Sequence, residues 1–151
     1  MRPRAIVVLL GWFAVVVGGC NKREAGTAAP VELVSGKFKD DTGEIQIDVG
    51  YVAGRDRDVA VVVRMTTIGL EEMDKIVADV VVDGFVLVDG SPEWSGFVPP
   101  RQPITHRVRF RLLDGGDSGT LTVSVRRSRD SELLYETPLT FVANGSVLAP
   151  Q

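Results

Sequence analysis

Apolar and polar residues alternate with a period of two through most of the chain beyond Val31, and turn residues interrupt the alternation at short intervals. That pattern limits the fold more than any other feature, because successive side chains change face in a strand but not in a helix. Residues 104–113 show it most strictly. His106, Val108, Phe110 and Leu112 fall on one side, and Arg107, Arg109 and Arg111 on the other. Residues 44–52 repeat it, with Ile45, Ile47, Val49 and Tyr51 against Glu44, Gln46 and Asp48. About seven to eight such strands with turns between them predict an all-β fold, a single antiparallel sandwich or a barrel; we take the sandwich.

The remaining elements follow the same reasoning. Residues 31–38 form a first strand interrupted by Gly36, and residues 40–43 a turn. Residues 59–67 are apolar on both faces through Ala60 and Val62, which predicts a central or covered strand. Residues 69–75 are the one helical piece, with Leu70 and Met73 three apart and Glu71 four before Lys75. Strands at 76–82 and 85–88 meet at Asp83-Gly84, which signals a hairpin or a bulge in one long strand. Residues 93–103 read as an irregular loop, 114–119 as a turn and 120–126 as a strand with Leu121, Val123 and Val125 inward. Pro138 places the last strand, 133–142, at an edge.

The first residues divide from all of this. Met1-Arg2-Pro3-Arg4 is a short basic start. An uncharged apolar run from Ala5 to Gly19 follows, shorter than the ~20 residues a membrane-spanning helix needs. Basic start, apolar core and small residues at the end make a secretory signal. It closes on Val17-Gly18-Gly19-Cys20, which holds the one cysteine. This resembles the lipobox of bacterial lipoproteins, with Val17 standing where leucine is commoner. The resemblance implies cleavage between Gly19 and Cys20, a diacylglycerol on the Cys20 sulfur and often an acyl group on its amine. Asn21, rather than aspartate, implies the outer membrane if the organism is Gram-negative. The expected organisation is a signal peptide at 1–19, lipidated Cys20 and a polar tether at 20–30, the sandwich at 31–145 and a tail at 146–151. Fully extended, the tether reaches about 35 Å, so the domain stays near the membrane surface.

A second resemblance covers roughly residues 85–143. The Trp94 loop, the arginine-rich strand, the Gly-rich turn and the 120–126 strand look like the second half of bacterial immunoglobulin-like or fibronectin-III-like modules. It implies an immunoglobulin-like sandwich. The Cys-Trp-Cys framework of antibody domains is absent.

Composition narrows the function. The chain carries a formal charge of −3, and removing Arg2 and Arg4 makes it more acidic, which argues against nucleic acid. His106 is the sole histidine, and with Cys20 acylated no thiol remains for a disulfide or zinc. No Gly-x-Ser-x-Gly elbow or phosphate loop is present. The acidic turns at Asp40/Asp41/Glu44 and Asp114/Asp117 supply too few oxygens for calcium. No cofactor, metal or catalytic residue is therefore assigned, and the chain is not read as an enzyme.

Two features remain as binding candidates. Arg107, Arg109 and Arg111 share one face and suit an acidic partner, anionic headgroups or acidic glycans; as a solvated face they would need cross-strand acids such as Asp79 or Glu136, and Arg126 joins them if its strand lies alongside. Trp94 and Phe97, beside Pro99-Pro100, suit protein or sugar binding, or a plug at the end of the sandwich. The expected function is a membrane-anchored envelope lipoprotein whose sandwich is a protein-interaction or structural module. A carbohydrate- or cell-wall-binding module using the Trp94 loop, and a hydrolase using carboxylates alone, remain open alternatives.

Overall fold

The computed structural model describes residues 31–39, 44–68 and 75–151, the first stretch as strand backbone alone. The expected signal peptide, Cys20, the expected tether, the expected turn at 40–43 and most of the expected helical piece lie outside these residues. Among the described residues there is no helix, and none long and apolar enough to cross a membrane.

Ten strands follow one another: β1 (Val31–Lys39), β2 (Glu44–Ala53), β3 (Asp58–Thr67), β4 (Ile76–Asp83), β5 (Phe85–Asp89), β6 (Glu93–Gly96), β7 (Ile104–Leu112), β8 (Ser118–Arg127), β9 (Leu133–Asn144) and β10 (Val147–Pro150). They form two five-stranded sheets, β1-β2-β3-β7-β5 and β10-β9-β8-β4-β6, with every strand pair antiparallel. The all-β sandwich expected from the alternation is present. The strands exceed the expected number because two short ones lie in stretches read as loop and tail. β6 falls at the start of the 93–103 loop. β10 turns the tail back onto β9 and buries Leu148.

The core is the set of inward faces. Ile45, Ile47 and Val49 from β2, Val59, Val61, Val63 and Met65 from β3, and Val108, Phe110 and Leu112 from β7 are buried. Ile76, Ala78 and Val80 from β4 and Leu121, Val123 and Val125 from β8 meet them from the other sheet. Phe141 of β9 joins the layers. Its ring lies 5.2 Å from Tyr51 and 6.2 Å from Phe85, both edge to face, and both of those residues belong to the opposite sheet. β3 is central, as its two apolar faces suggested.

Asp83-Gly84 makes no hairpin. β4 and β5 lie in different sheets, and the chain changes sheet at Gly84. Gly84 has φ +77°, and a side chain there would come 3.1 Å from the Ser118 carbonyl. Gly119 faces this corner: a Cβ would fall 2.5 Å from the Phe85 ring and 2.8 Å from the Asp83 carbonyl. A glycine is needed at both positions, one for backbone conformation and one for space. Sequence cannot separate this corner from a hairpin, because the turn chemistry is the same.

Pro138 does sit on an edge. β10 covers β9 only at residues 141–144, so β9 has β8 alone beside Pro138. A residue without an N–H is tolerated there.

Candidate binding face

β7 lies between β3 and β5, and its strict alternation sends His106, Val108 and Phe110 into the core while Arg107, Arg109 and Arg111 stand outward. The register places Arg107 opposite Val62, Arg109 opposite Ala60 and Arg111 opposite Asp58. Ala60 and Val62 are 5% and 9% exposed although they lie on the outer face. Small residues flanked by arginines explain this, since guanidinium side chains lay their aliphatic stems along apolar surface.

The three arginines differ in their partners. Arg111 Nε donates to Asp58 Oδ1 at 2.6 Å and its Nη2 to Oδ2 at 3.2 Å. This fork raises the Arg111 pKa, chiefly through the hydrogen bond to Asp58 and then through the carboxylate's charge. The side chains of Arg107 and Arg109 make no hydrogen bond or ion pair among the described residues. They form the wall between two depressions. One of about 320 Å³ is lined by Val52, Gly54, Arg55, Asp56, Asp58, Ala60, Arg107 and Arg109. The other, about 210 Å³, is lined by Ala60, Asp89, Arg107 and Arg109.

The turn beside the larger depression is held firmly. Asp56 and Arg57 take left-handed φ values of 58° and 62°, a conformation that non-glycine residues adopt only when surroundings enforce it. The Arg57 guanidinium donates to the Gly116 carbonyl. Its backbone N–H donates to Ser146 and its carbonyl accepts from Leu112. Three loops are thereby fastened, and Arg55 and Asp56 are set at the rim of the larger depression.

The expected cross-strand acids are elsewhere. β8 belongs to the other sheet, so Arg126 does not join the stripe; it lies opposite Val77 and Leu133. Asp79 is also in that sheet and accepts from Ser124 Oγ at 2.6 Å. Glu136 is exposed on β9, opposite Ser124. Asp58, missed from sequence, is the acid that pairs with the stripe. It stands at the end of a turn, 53 residues from Arg111, and only strand register brings them together.

The aromatic candidates divide. Trp94 is in β6 opposite Ala78, half-buried and packed against the core. Gly96 leaves room for it, since a Cβ there would come 2.9 Å from the indole. Phe97 is 57% exposed and stands outside the core. Arg127, also missed from sequence, is buried at the end of β8 and pairs with Asp130 at 2.9 Å and with Glu132, closing the β8–β9 turn.

His106 is 8% exposed, with Nε2 buried and without a hydrogen-bond partner. Burial lowers its pKa below the usual 6.5, and a hydrogen bond to the Ser91 backbone offsets part of that. The unfolded chain therefore binds a proton that the folded chain resists. Stability is full above 6.5 and falls as pH drops from there toward the lowered folded value. Urea midpoints measured from about pH 7.5 down to about pH 5 should fall, and His106→Gln should flatten that slope.

Among the described residues no three His, Cys, Asp or Glu side chains gather to hold a metal ion. No protein-family model and no curated protein matches this chain.

Proposed function

We propose that the chain is a lipid-anchored envelope protein whose sandwich binds an acidic protein partner through the arginine face of β7. The observation that carries this is the pair Arg107 and Arg109, unpaired among the described residues and standing over the small apolar floor at Ala60 between two depressions. Guanidinium groups beside apolar surface suit a carboxylate, because the fork matches its geometry and the floor excludes water. The rigid turn at 54–58 supplies a preformed rim. Arginine enrichment is also common in protein interfaces.

The lipobox at Val17-Gly18-Gly19-Cys20 supplies the anchor. A multiply acylated Cys20 would hold the membrane stably, where one chain holds it only marginally. We further propose an immunoglobulin-like sandwich. The inner order β2-β3-β7-β5 against β9-β8-β4-β6 supports it, corresponding to strands A-B-E-D and G-F-C-C′. The departure is that β5 precedes β6, so the D-like strand comes before the C′-like one.

The test is cross-linking of the full-length protein in cells, with mass spectrometry of what co-purifies and a Cys20→Ala control beside it. The proposal expects one acidic envelope protein, lost or strongly reduced when Cys20 cannot be acylated. Recovery of no protein above background would overturn the interaction reading. An unchanged partner and unchanged membrane association in Cys20→Ala would overturn the anchored one.

A further inference from the structure

β1 begins at Val31, opposite Tyr51 of β2, so the segment that follows Cys20 enters the sandwich at the end of β2. Strand register brings three turns to that same end. The first, 54–57, leads from β2 into β3, where Asp58 lies opposite Arg111. The second, 113–117, leads into β8, where Ser118 lies opposite Val142. The third joins β9 to β10, with Asn144 opposite Val147. Arg57 fastens all three: its guanidinium donates to the Gly116 carbonyl and its N–H to the Ser146 carbonyl. The Gly116 N–H closes the second turn on the Leu113 carbonyl, and the Ala143 N–H ties Asp117 to β9. These turns form one rigid end rather than three independent loops.

Two aliphatic side chains stand at this end, Leu113 (47% exposed) and Val147 (49%). Each is two residues from a turn glycine in the left-handed region, Gly115 at 80° and Gly145 at 64°. A side chain at either glycine would meet nothing within 4 Å, so both turn tips project into open space. The exposed charges there are mixed: Arg55 and the forked Arg111 against Asp56, Asp83, Asp114 and Asp117. Such a surface is not drawn to anionic headgroups. What it offers a membrane is two aliphatic tips on a polar rim, which suits a zwitterionic lipid surface.

We propose that this end of the sandwich lies on the membrane, with Leu113 and Val147 set into a zwitterionic headgroup layer. The length of the tether and the place where it joins the domain argue for this end over the other. Residues 21–30 reach about 35 Å when fully extended. To turn the opposite end to the membrane, they would have to run back along the sheet from Tyr51 past Glu44, which is roughly 24 Å in strand geometry. That uses most of their reach. Two half-exposed aliphatic residues would not hold a free protein. On a domain already tethered the contact is intramolecular, and a weak one suffices to orient it. The inference rests on the anchored reading proposed above. It does not use the β7 arginines: their face is the side of the sheet and this is its end, and the 54–57 turn borders both.

The test uses the full-length chain, expressed in cells, purified from their membranes and placed in phosphatidylcholine vesicles with a nitroxide on part of the acyl chains. Leu113→Cys, Val147→Cys and Phe97→Cys carry the same fluorophore in three separate preparations. All three positions are about half-exposed, so the substitutions should leave the fold intact. Phe97 follows β6 at the opposite end, where Gly96 lies opposite Ile76 at the start of β4. Flotation with the vesicles reports the anchor, and nitroxide quenching reports which end meets the lipid. The expected result is flotation of all three, with quenching severalfold greater at 113 and 147 than at 97. Flotation with equal quenching at the three positions, or with the greatest at 97, would overturn the orientation and leave the anchor standing. Quenching at 113 and 147 that needs added phosphatidylglycerol would overturn the zwitterionic fit. Absence of flotation would overturn the anchor and this inference with it.

Discussion

Replacing Phe141 by alanine is expected to lower the stability of the sandwich by about 3–5 kcal/mol. Phe141 is fully buried, and its ring meets Tyr51 and Phe85 from the opposite sheet. Truncation removes the transfer energy of the ring and leaves a space between two layers that cannot collapse independently. It also removes two edge-to-face contacts, each worth about 0.5–1.5 kcal/mol beyond area. Domains of this kind are stable by about 5–15 kcal/mol in total, so the variant should sit near its unfolding threshold. Urea denaturation of wild type and variant measures this directly. Phe141→Leu keeps much of the volume and should cost less. A loss below about 1 kcal/mol for alanine would mean that the ring is not what joins the sheets.

Reversing charge at Arg107→Glu and Arg109→Glu together should weaken capture of the partner by about tenfold to a hundredfold, because like charges placed against an acidic surface cost several kcal/mol. Folding should change little. Both side chains are exposed and make no ion pair among the described residues, and such surface changes are usually within about 0.5 kcal/mol. Arg111→Glu is a poorer test, because it also breaks the fork with Asp58. Capture by the wild type should also weaken as salt rises, since exposed charges are screened over about 8–10 Å at ordinary ionic strength. Unchanged capture by the double variant would remove the arginine face from the interaction.

How much of this was legible in the sequence depends on the range of the interaction. Ile45, Ile47, Val49, Val108, Phe110, Leu121 and Val123 declared their faces through a period of two, and all are buried. Ala60 and Val62 interrupted the polar alternation of β3, and that interruption correctly marked a covered strand. Pairings between distant segments were not legible. Assigning Arg126, Asp79 and Glu136 to the arginine stripe required knowing which sheet each strand joins, and that is decided by packing. The Asp58–Arg111 fork depends on register between strands half the domain apart. β6 and β10 are too short for periodicity to register, and Trp-Ser-Gly in β6 reads as a turn. The corner at Gly84 was invisible because a glycine after an aspartate serves a hairpin and a change of sheet equally well.

The most direct test of the central claim places a photoreactive residue at Val52, which lines the larger depression beside Arg107 and Arg109. The full-length protein is illuminated in cells, with the same probe at Ser128, an exposed position beyond the end of β8 in the opposite sheet, as reference. The account predicts a discrete adduct with an acidic envelope protein from Val52, none from Ser128, and loss of the adduct in the Arg107→Glu/Arg109→Glu background. No adduct from Val52, or equal adducts from both positions, would contradict it.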